Sequence, residues 1–362
     1  MISMIKKNDI YIYHLGKWLV VSYTIMFSDL PTEIIKHEIF PHLDESAKIV
    51  LRNVLWNTPI PTSIDCIIQK EICKYSGDYL TFFQSRLSVD KVSYYLSFHS
   101  NFSGLKWSKE NNYKWSDMVC DNIAFGGNID LLKWAIENGG MWGQNTCEAA
   151  ASNGHLELLK WARKNGCPWD ESTCESAAQG GNLAILQWAH ENGCPWNEET
   201  CEGAARGGHL ELLKWARVNG CHWDGMTCSY AASHGHLEIL KWARENGCSW
   251  DEVTCCCAAS YGHLEILKWA HENGCPWNES TCEHAALNDH LEILKWAREH
   301  GCPWDKKTCE AAASGGHLEL LQWAIANGCP WDINTYRIAI CNGQTRVIKW
   351  FTDTFRHLVT QI

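Results

Sequence analysis

Tryptophan returns every 27 residues through the greater part of this chain, and it does so in two parallel rows. One row runs Trp115, Trp142, Trp169, Trp196, Trp223, Trp250, Trp277, Trp304 and Trp331; the other runs Trp134, Trp161, Trp188, Trp215, Trp242, Trp269, Trp296, Trp323 and Trp350. A period of this length excludes a fold built on one central core. A unit so short cannot bury an apolar face alone, so copies must stack in a line, each covering its neighbour. The count of tryptophans sets nine such units.

Each unit reads as two short helices. In the copy that begins at Trp169, Asp170 suits an N-cap, Glu171 and Glu175 follow early, and the small-residue run through Ala177-Ala178 ends at glycine. For the second helix, His209 to Arg217 places Leu210, Leu212, Leu213, Trp215 and Ala216 on one wide apolar face. Glu211 and Lys214 stand three apart on the outer strip, and Asn219-Gly220 supplies a left-handed cap. Alanine pairs such as Ala150-Ala151, Ala177-Ala178, Ala204-Ala205 and Ala231-Ala232 leave room for close helix approach. Both tryptophan rows are expected to be largely buried.

The run Gly235-His236-Leu237-Glu238-Ile239-Leu240-Lys241, with Asn246-Gly247 after it and Thr227 and Ala231-Ala232 before it, resembles an ankyrin repeat. The departures are a 27-residue unit in place of the usual 33, Thr-Cys-Glu where the family has Thr-Pro-Leu, and a Cys-Pro-Trp loop in place of a longer hairpin. The resemblance implies an all-α, ankyrin-like helical solenoid over residues 115–357 with short loops and little or no β-hairpin, preceded by a small helical N-terminal region. It also implies a protein target held on the repeat surface. The Cys-Pro-Trp units are similar to those abundant in proteins of large DNA viruses. Leu105-Lys106-Trp107 stands one period before Leu132-Lys133-Trp134, so residues 88–114 read as a degenerate capping repeat with Asn101, Ser103 and Ser108 on its polar side.

The N-terminal quarter is different. Residues 1–25 form an extension of uncertain character, and the apolar stretch from Ile10 to Phe27 is interrupted by His14 and Lys17, which argues against a membrane span or signal peptide. Met26 is a second candidate start. Over residues 26–60, Leu30-Pro31, Glu33, Ile34-Ile35, Ile39-Phe40, Leu43-Asp44 and Trp56 occur in the order of an F-box, with one residue too many between Ile35 and Ile39. That resemblance implies docking to a Skp-type linker of a cullin ubiquitin ligase through Leu30, Pro31, Ile34, Ile39 and Phe40. An ordinary amphipathic helical cap accounts for the same spacing. Residues 61–87 read as a connector.

A formal charge of −11 argues against a general nucleic-acid binder and points to protein as the partner. The cysteines, 20 in all, fall mainly into two further rows, and one per first helix stands 20 residues before one per loop. Buried free thiols of an intracellular, cytoplasmic protein are the favoured reading; a disulfide ladder is the alternative, and the spacing of zinc modules is absent. His155, His209, His236, His263, His290 and His317 share one repeat position, where the ring is expected to hydrogen-bond loop backbone. Residues that recur once per unit are scaffold, and no phosphate-cradling, nucleophile-elbow or metalloprotease motif is present, so no enzyme, cofactor or metal is expected. A protein-interaction module remains, either a plain scaffold or decoy, or an F-box adaptor. Its binding surface should lie where units differ. Residues twelve and eight before the second tryptophan draw two stripes, small in most units but bulky at Tyr230, His234, Tyr261 and His284, and Met226, Val253, Lys306 and Lys307 could extend them.

Overall fold

The computed structural model of the chain describes residues 4–7, 10–13 and 92–356. The F-box-like segment at 26–60 and the connector at 61–87 lie outside the described residues. The chain divides into two compact parts, Met1–Trp142 and Gly143–Ile362.

In the first part, β1 (Met4–Lys7) pairs antiparallel with β2 (Ile10–Tyr13), Met4 opposite Tyr13 and Lys7 opposite Ile10. The alternating Ile-Tyr-Ile-Tyr of β2 is a β-forming run within the 1–25 extension, whose character the sequence leaves open. Two helix pairs follow: α1 (Val92–Phe98) with α2 (Phe102–Glu110), and α3 (Val119–Phe125) with α4 (Ile129–Glu137). Leu96 and Leu105 are fully buried, Asn101 caps α2 by accepting from Gly104 N at 2.9 Å, and Trp115 Nε1 donates to Ser108 Oγ at 3.0 Å.

The second part is a stack of eight helix pairs. They are α5 (Gln144–Ser152) with α6 (Leu156–Lys164), α7 (Glu171–Gln179) with α8 (Leu183–Glu191), α9 (Glu198–Gly207) with α10 (Leu210–Val218), and α11 (Gly225–Ser233) with α12 (Leu237–Glu245). Then come α13 (Glu252–Ser260) with α14 (Leu264–Glu272), α15 (Glu279–Leu287) with α16 (Leu291–Glu299), α17 (Lys306–Gly315) with α18 (Leu318–Ala326), and α19 (Ile333–Cys341) with α20 (Thr345–Thr354). The only strands among the described residues are β1 and β2, so the all-helical, hairpin-free repeat array expected from the sequence is what forms.

Local chemistry sets each boundary. Asp170, Asn197, Asp224, Asp251, Asn278, Asp305 and Asp332 each cap a first helix, accepting from the backbone N–H two residues on at 2.8 to 3.2 Å. At the far end of α10, Gly220 sits at φ +88°, its N–H bonds Arg217 O at 3.2 Å, and Cys221 N–H bonds Ala216 O at 3.0 Å. This is a Schellman cap, and it recurs at the same place in other pairs. Packing is closest between the first helices of consecutive pairs, α7 on α9, α9 on α11 and α11 on α13. Ala177, Ala178, Ala204, Ala205, Ala231 and Ala232 are fully buried there.

The repeated histidine ties one pair to the next. His209 Nε2 donates to Gln179 O at 3.1 Å, His236 to Arg206 O at 3.2 Å, His263 to Ser233 O at 3.0 Å and His290 to Ser260 O at 3.0 Å. Each ring thereby satisfies an end carbonyl of the first helix in the preceding pair. Asn182 and Gln344 do the same with an amide. Burial holds the His236 imidazole below its ordinary pKa.

One expectation is corrected. The tryptophans of both rows are half-buried in the repeats, not largely buried, and line a ladder along the edge of the stack. Within a pair they meet edge to face, as Trp169 and Trp188 do at 5.6 Å and Trp223 and Trp242 at 5.6 Å. The outer face of six first-row indoles is covered by a side chain from the last turn of the preceding second helix. Arg163 lies over Trp169 at 4.0 Å, Arg217 over Trp223 at 4.2 Å, Arg244 over Trp250 at 4.1 Å and Arg298 over Trp304 at 4.2 Å. His190 and His271 take that place on Trp196 and Trp277, at 3.9 and 3.8 Å. A guanidinium over the ring stabilises a partly wet indole.

Candidate binding surface

The stripe on the first helices is narrow-shouldered in most pairs and broad in the middle. Ala149, Ser176 and Gly203 precede Tyr230 at one position, and Asn153, Gly180 and Gly207 precede His234 and Tyr261 at the other. Tyr230 lies on α11, His234 caps the C-terminal end of that helix, Tyr261 caps the end of α13, and His284 lies on α15.

Three of these four come together. The rings of Tyr230 and His234 are 6.5 Å apart, and those of His234 and Tyr261 are 6.3 Å apart and nearly parallel at 22°. Tyr261 is exposed, at 62%. His234 is exposed, and its Nδ1 is held by Ser233 Oγ at 2.8 Å and Tyr230 O at 3.1 Å. Tyr230 is half-buried. His284 is also half-buried and stands outside the row, its Nδ1 donating to Ser280 O at 2.7 Å. Met226 and Val253 are exposed at the N-terminal ends of α11 and α13, whereas Lys306 is engaged with Asp332 at 3.1 Å.

A clamp lies beneath Tyr230 that the stripe pattern alone does not reveal. Arg206 of α9 lays its guanidinium over the Tyr230 ring at 4.2 Å and pairs with Glu175 of α7 at 3.0 Å. Three consecutive first helices are joined by this one side chain. Beside it Glu202 is buried, and desolvation first, with Asp224 and Glu199 adding repulsion, pushes its carboxyl up to about 7. Arg206 varies in type from unit to unit, as Gln179 and Ser233 show at the same repeat position, and that variation was the available signal.

Among the described residues no group of three or more His, Cys, Asp or Glu is arranged to hold a metal ion, and no helix is long and apolar enough to cross a membrane. The repeated polar side chains have structural employment instead: the histidines bond carbonyls and the acidic N-caps bond N–H groups.

Residues 255–298, which span most of α13 through α16, match the family model for ankyrin repeats (many copies). No curated protein shows significant similarity to the chain. Among solved structures, the ankyrin repeat domain of human ASB11 is similar at 17% identity over 43% of this chain and 84% of that one, with a TM-score of 0.36, which is too distant to carry an argument. The matched pairs use the same kind of N-cap and the same carbonyl-binding histidine as several other pairs of the second part.

Proposed function

We propose that this protein is a binding module whose ankyrin-type array holds a protein target across α11 and α13. The observation that carries the reading is the contiguous row Tyr230, His234 and Tyr261, standing among small residues and braced from beneath by Arg206. Half-exposed tyrosines held in place lose little entropy on binding and are the residue type enriched at interface hot spots. The test is a titration of a partner co-purified with the full chain against the double substitution Tyr230→Ala, Tyr261→Ala. Affinity should fall at least tenfold while the helical circular dichroism spectrum is unchanged; equal affinity moves the site elsewhere.

A finer reading rests on the sequence of residues 26–60. Leu30-Pro31, Ile34, Ile39 and Phe40 support an F-box that recruits a Skp-type linker and a cullin ligase, so that the array presents substrate for ubiquitination. The likeness of the Cys-Pro-Trp loops to those of large DNA viruses supports placing that activity in a host cytoplasm. Replacing Leu30, Pro31 and Ile34 with Ala should then abolish ligase capture and spare target binding. A wild-type chain that binds target but no ligase component leaves a scaffold or decoy.

A further inference from the structure

Seven consecutive units, beginning at Trp142 and ending before Trp331, each carry two cysteines 20 residues apart. One sits on the first helix, the other in the Schellman turn that closes the second. The fold brings them together. Sγ of Cys147 and Sγ of Cys167 are 3.3 Å apart, and in the six units that follow, from Cys174 with Cys194 to Cys309 with Cys329, the same two repeat positions carry cysteine and the loop thiol is held the same way, 3.1 to 3.5 Å from the N-cap carbonyl. All fourteen of these residues are buried, and none is bridged.

In the third of these units the N-cap carbonyl is Asn197 O, to which Cys221 Sγ donates at 3.1 Å. The neighbouring thiol first, and then burial, push the Cys201 thiol above its ordinary range, while the same pairing pulls Cys221 below. Cys248 and Cys329 are lowered in the same way; Cys194 is the exception, as its own thiol is the raised member.

Cysteines outside the fourteen supply internal controls. Cys120 occupies the helix position, but its loop partner is Gly140, where an added Cβ would stand 3.0 Å from the Cys120 sulfur. Cys256 is buried yet its sulfur contacts Thr281 Oγ1 at 3.7 Å and Asn278 Oδ1 at 3.9 Å. A merely apolar use of cysteine does not require that the helix and loop rows meet sulfur to sulfur.

We propose that these seven dithiols are modification sites, each oxidised within its own unit to a cystine bridge by a low-molecular-weight disulfide such as glutathione disulfide. The loop thiolate attacks one sulfur of the oxidant, forming a mixed disulfide and releasing one thiolate. The helix thiol gives up its proton and attacks the loop sulfur, and the second half of the oxidant leaves. Two protein thiols and one disulfide thereby become one protein disulfide and two small thiols. Two electrons pass to the oxidant, and the two protons end on the released thiols. The sulfurs of the Cys147–Cys167 pair need approach by only about 1.2 Å to reach bonding distance. Each bridge ties the end of the second helix to the first helix of the same pair, so oxidation stiffens the array unit by unit.

The experiment uses the full chain, reduced, desalted and incubated with glutathione disulfide, then alkylated and digested without reductant. The expected map pairs cysteines 20 residues apart, leaves Cys120 and Cys341 alkylated, and accompanies a rise in melting midpoint that dithiothreitol reverses. The substitution Gly140→Cys should add one bridge, to Cys120. Stable glutathione adducts, bridges between units, or thiols that stay fully alkylatable after the incubation would each overturn the proposal.

Discussion

Asp289 stands where other pairs place glycine. Gly208, Gly235 and Gly262 turn the chain between first and second helix at φ +83°, +81° and +83°, and Asp289 takes the same turn at φ +62° with a side chain attached. Left-handed backbone is costly for residues with a Cβ, though aspartate tolerates it better than most. Its carboxylate comes within 3.6 Å of His317 Nδ1, a contact that is ionic only when that ring is protonated. Asp289→Gly is therefore expected to raise stability by about 0.5–1 kcal/mol in urea unfolding at neutral pH. Glu202 offers the opposite case, a carboxyl that burial holds up to about 7. The folded chain binds that proton more tightly than the unfolded chain, so its contribution is lost as pH rises from the ordinary carboxylate range through about 7. Glu202→Gln should match wild type near the acid end and melt higher above neutrality. The gap is on the order of 1 kcal/mol, because the carboxyl is still partly screened by solvent. Thermal melts across that range test the sign, and a gap that shrinks with rising pH would be inconsistent with a buried neutral carboxyl.

At the scale of the helix pair, what could be read from the sequence was what depends on near neighbours in the chain. Asp170 as N-cap, Asn219-Gly220 as the closing turn and the Glu211–Lys214 contact, 2.7 Å in the structure, involve residues a few positions apart. The histidine bonds reach back 30 residues, yet their once-per-unit recurrence made them legible too. Periodicity marks a position as constrained without saying how deeply it is buried. The tryptophan ladder was misjudged for that reason, since its outer faces are covered by Arg217 and its counterparts and not by core. Arg217→Ala removes both the guanidinium over Trp223 and its Nη1 bond to Cys221 O, at a cost of about 1–2 kcal/mol. Lysine at that position should recover little, having no planar face to stack. If Arg217→Ala and wild type unfold at the same urea concentration, the ladder contributes nothing to stability. In the candidate site, variation against a fixed period exposed Tyr230, His234 and Tyr261. It could not show that Arg206, one helix away, would brace Tyr230, nor that His284 would turn to its own helix backbone.

For the molecule as a whole, stability and binding should separate along the chain. First helices pack on the first helices of adjacent pairs, so a stack of this kind behaves as a sum of unit and nearest-neighbour terms. Removing residues 169–195 deletes one 27-residue period and joins Pro168 to Trp196 in register. Glu148 then occupies the position of Glu175 beneath Arg206, so the brace on Tyr230 is restored by the neighbouring copy. Removing residues 223–249 deletes the same length and the same core rows, but takes Tyr230 and His234 with it. The two shortened chains should lose similar amounts of surface on folding and show similarly reduced urea m-values. Only the second should lose the partner, by at least the tenfold expected of the double tyrosine substitution. If both deletions abolish binding, the target spans the stack and the aromatic row is one contact among many; if neither does, the proposed site is wrong although the additive fold is right.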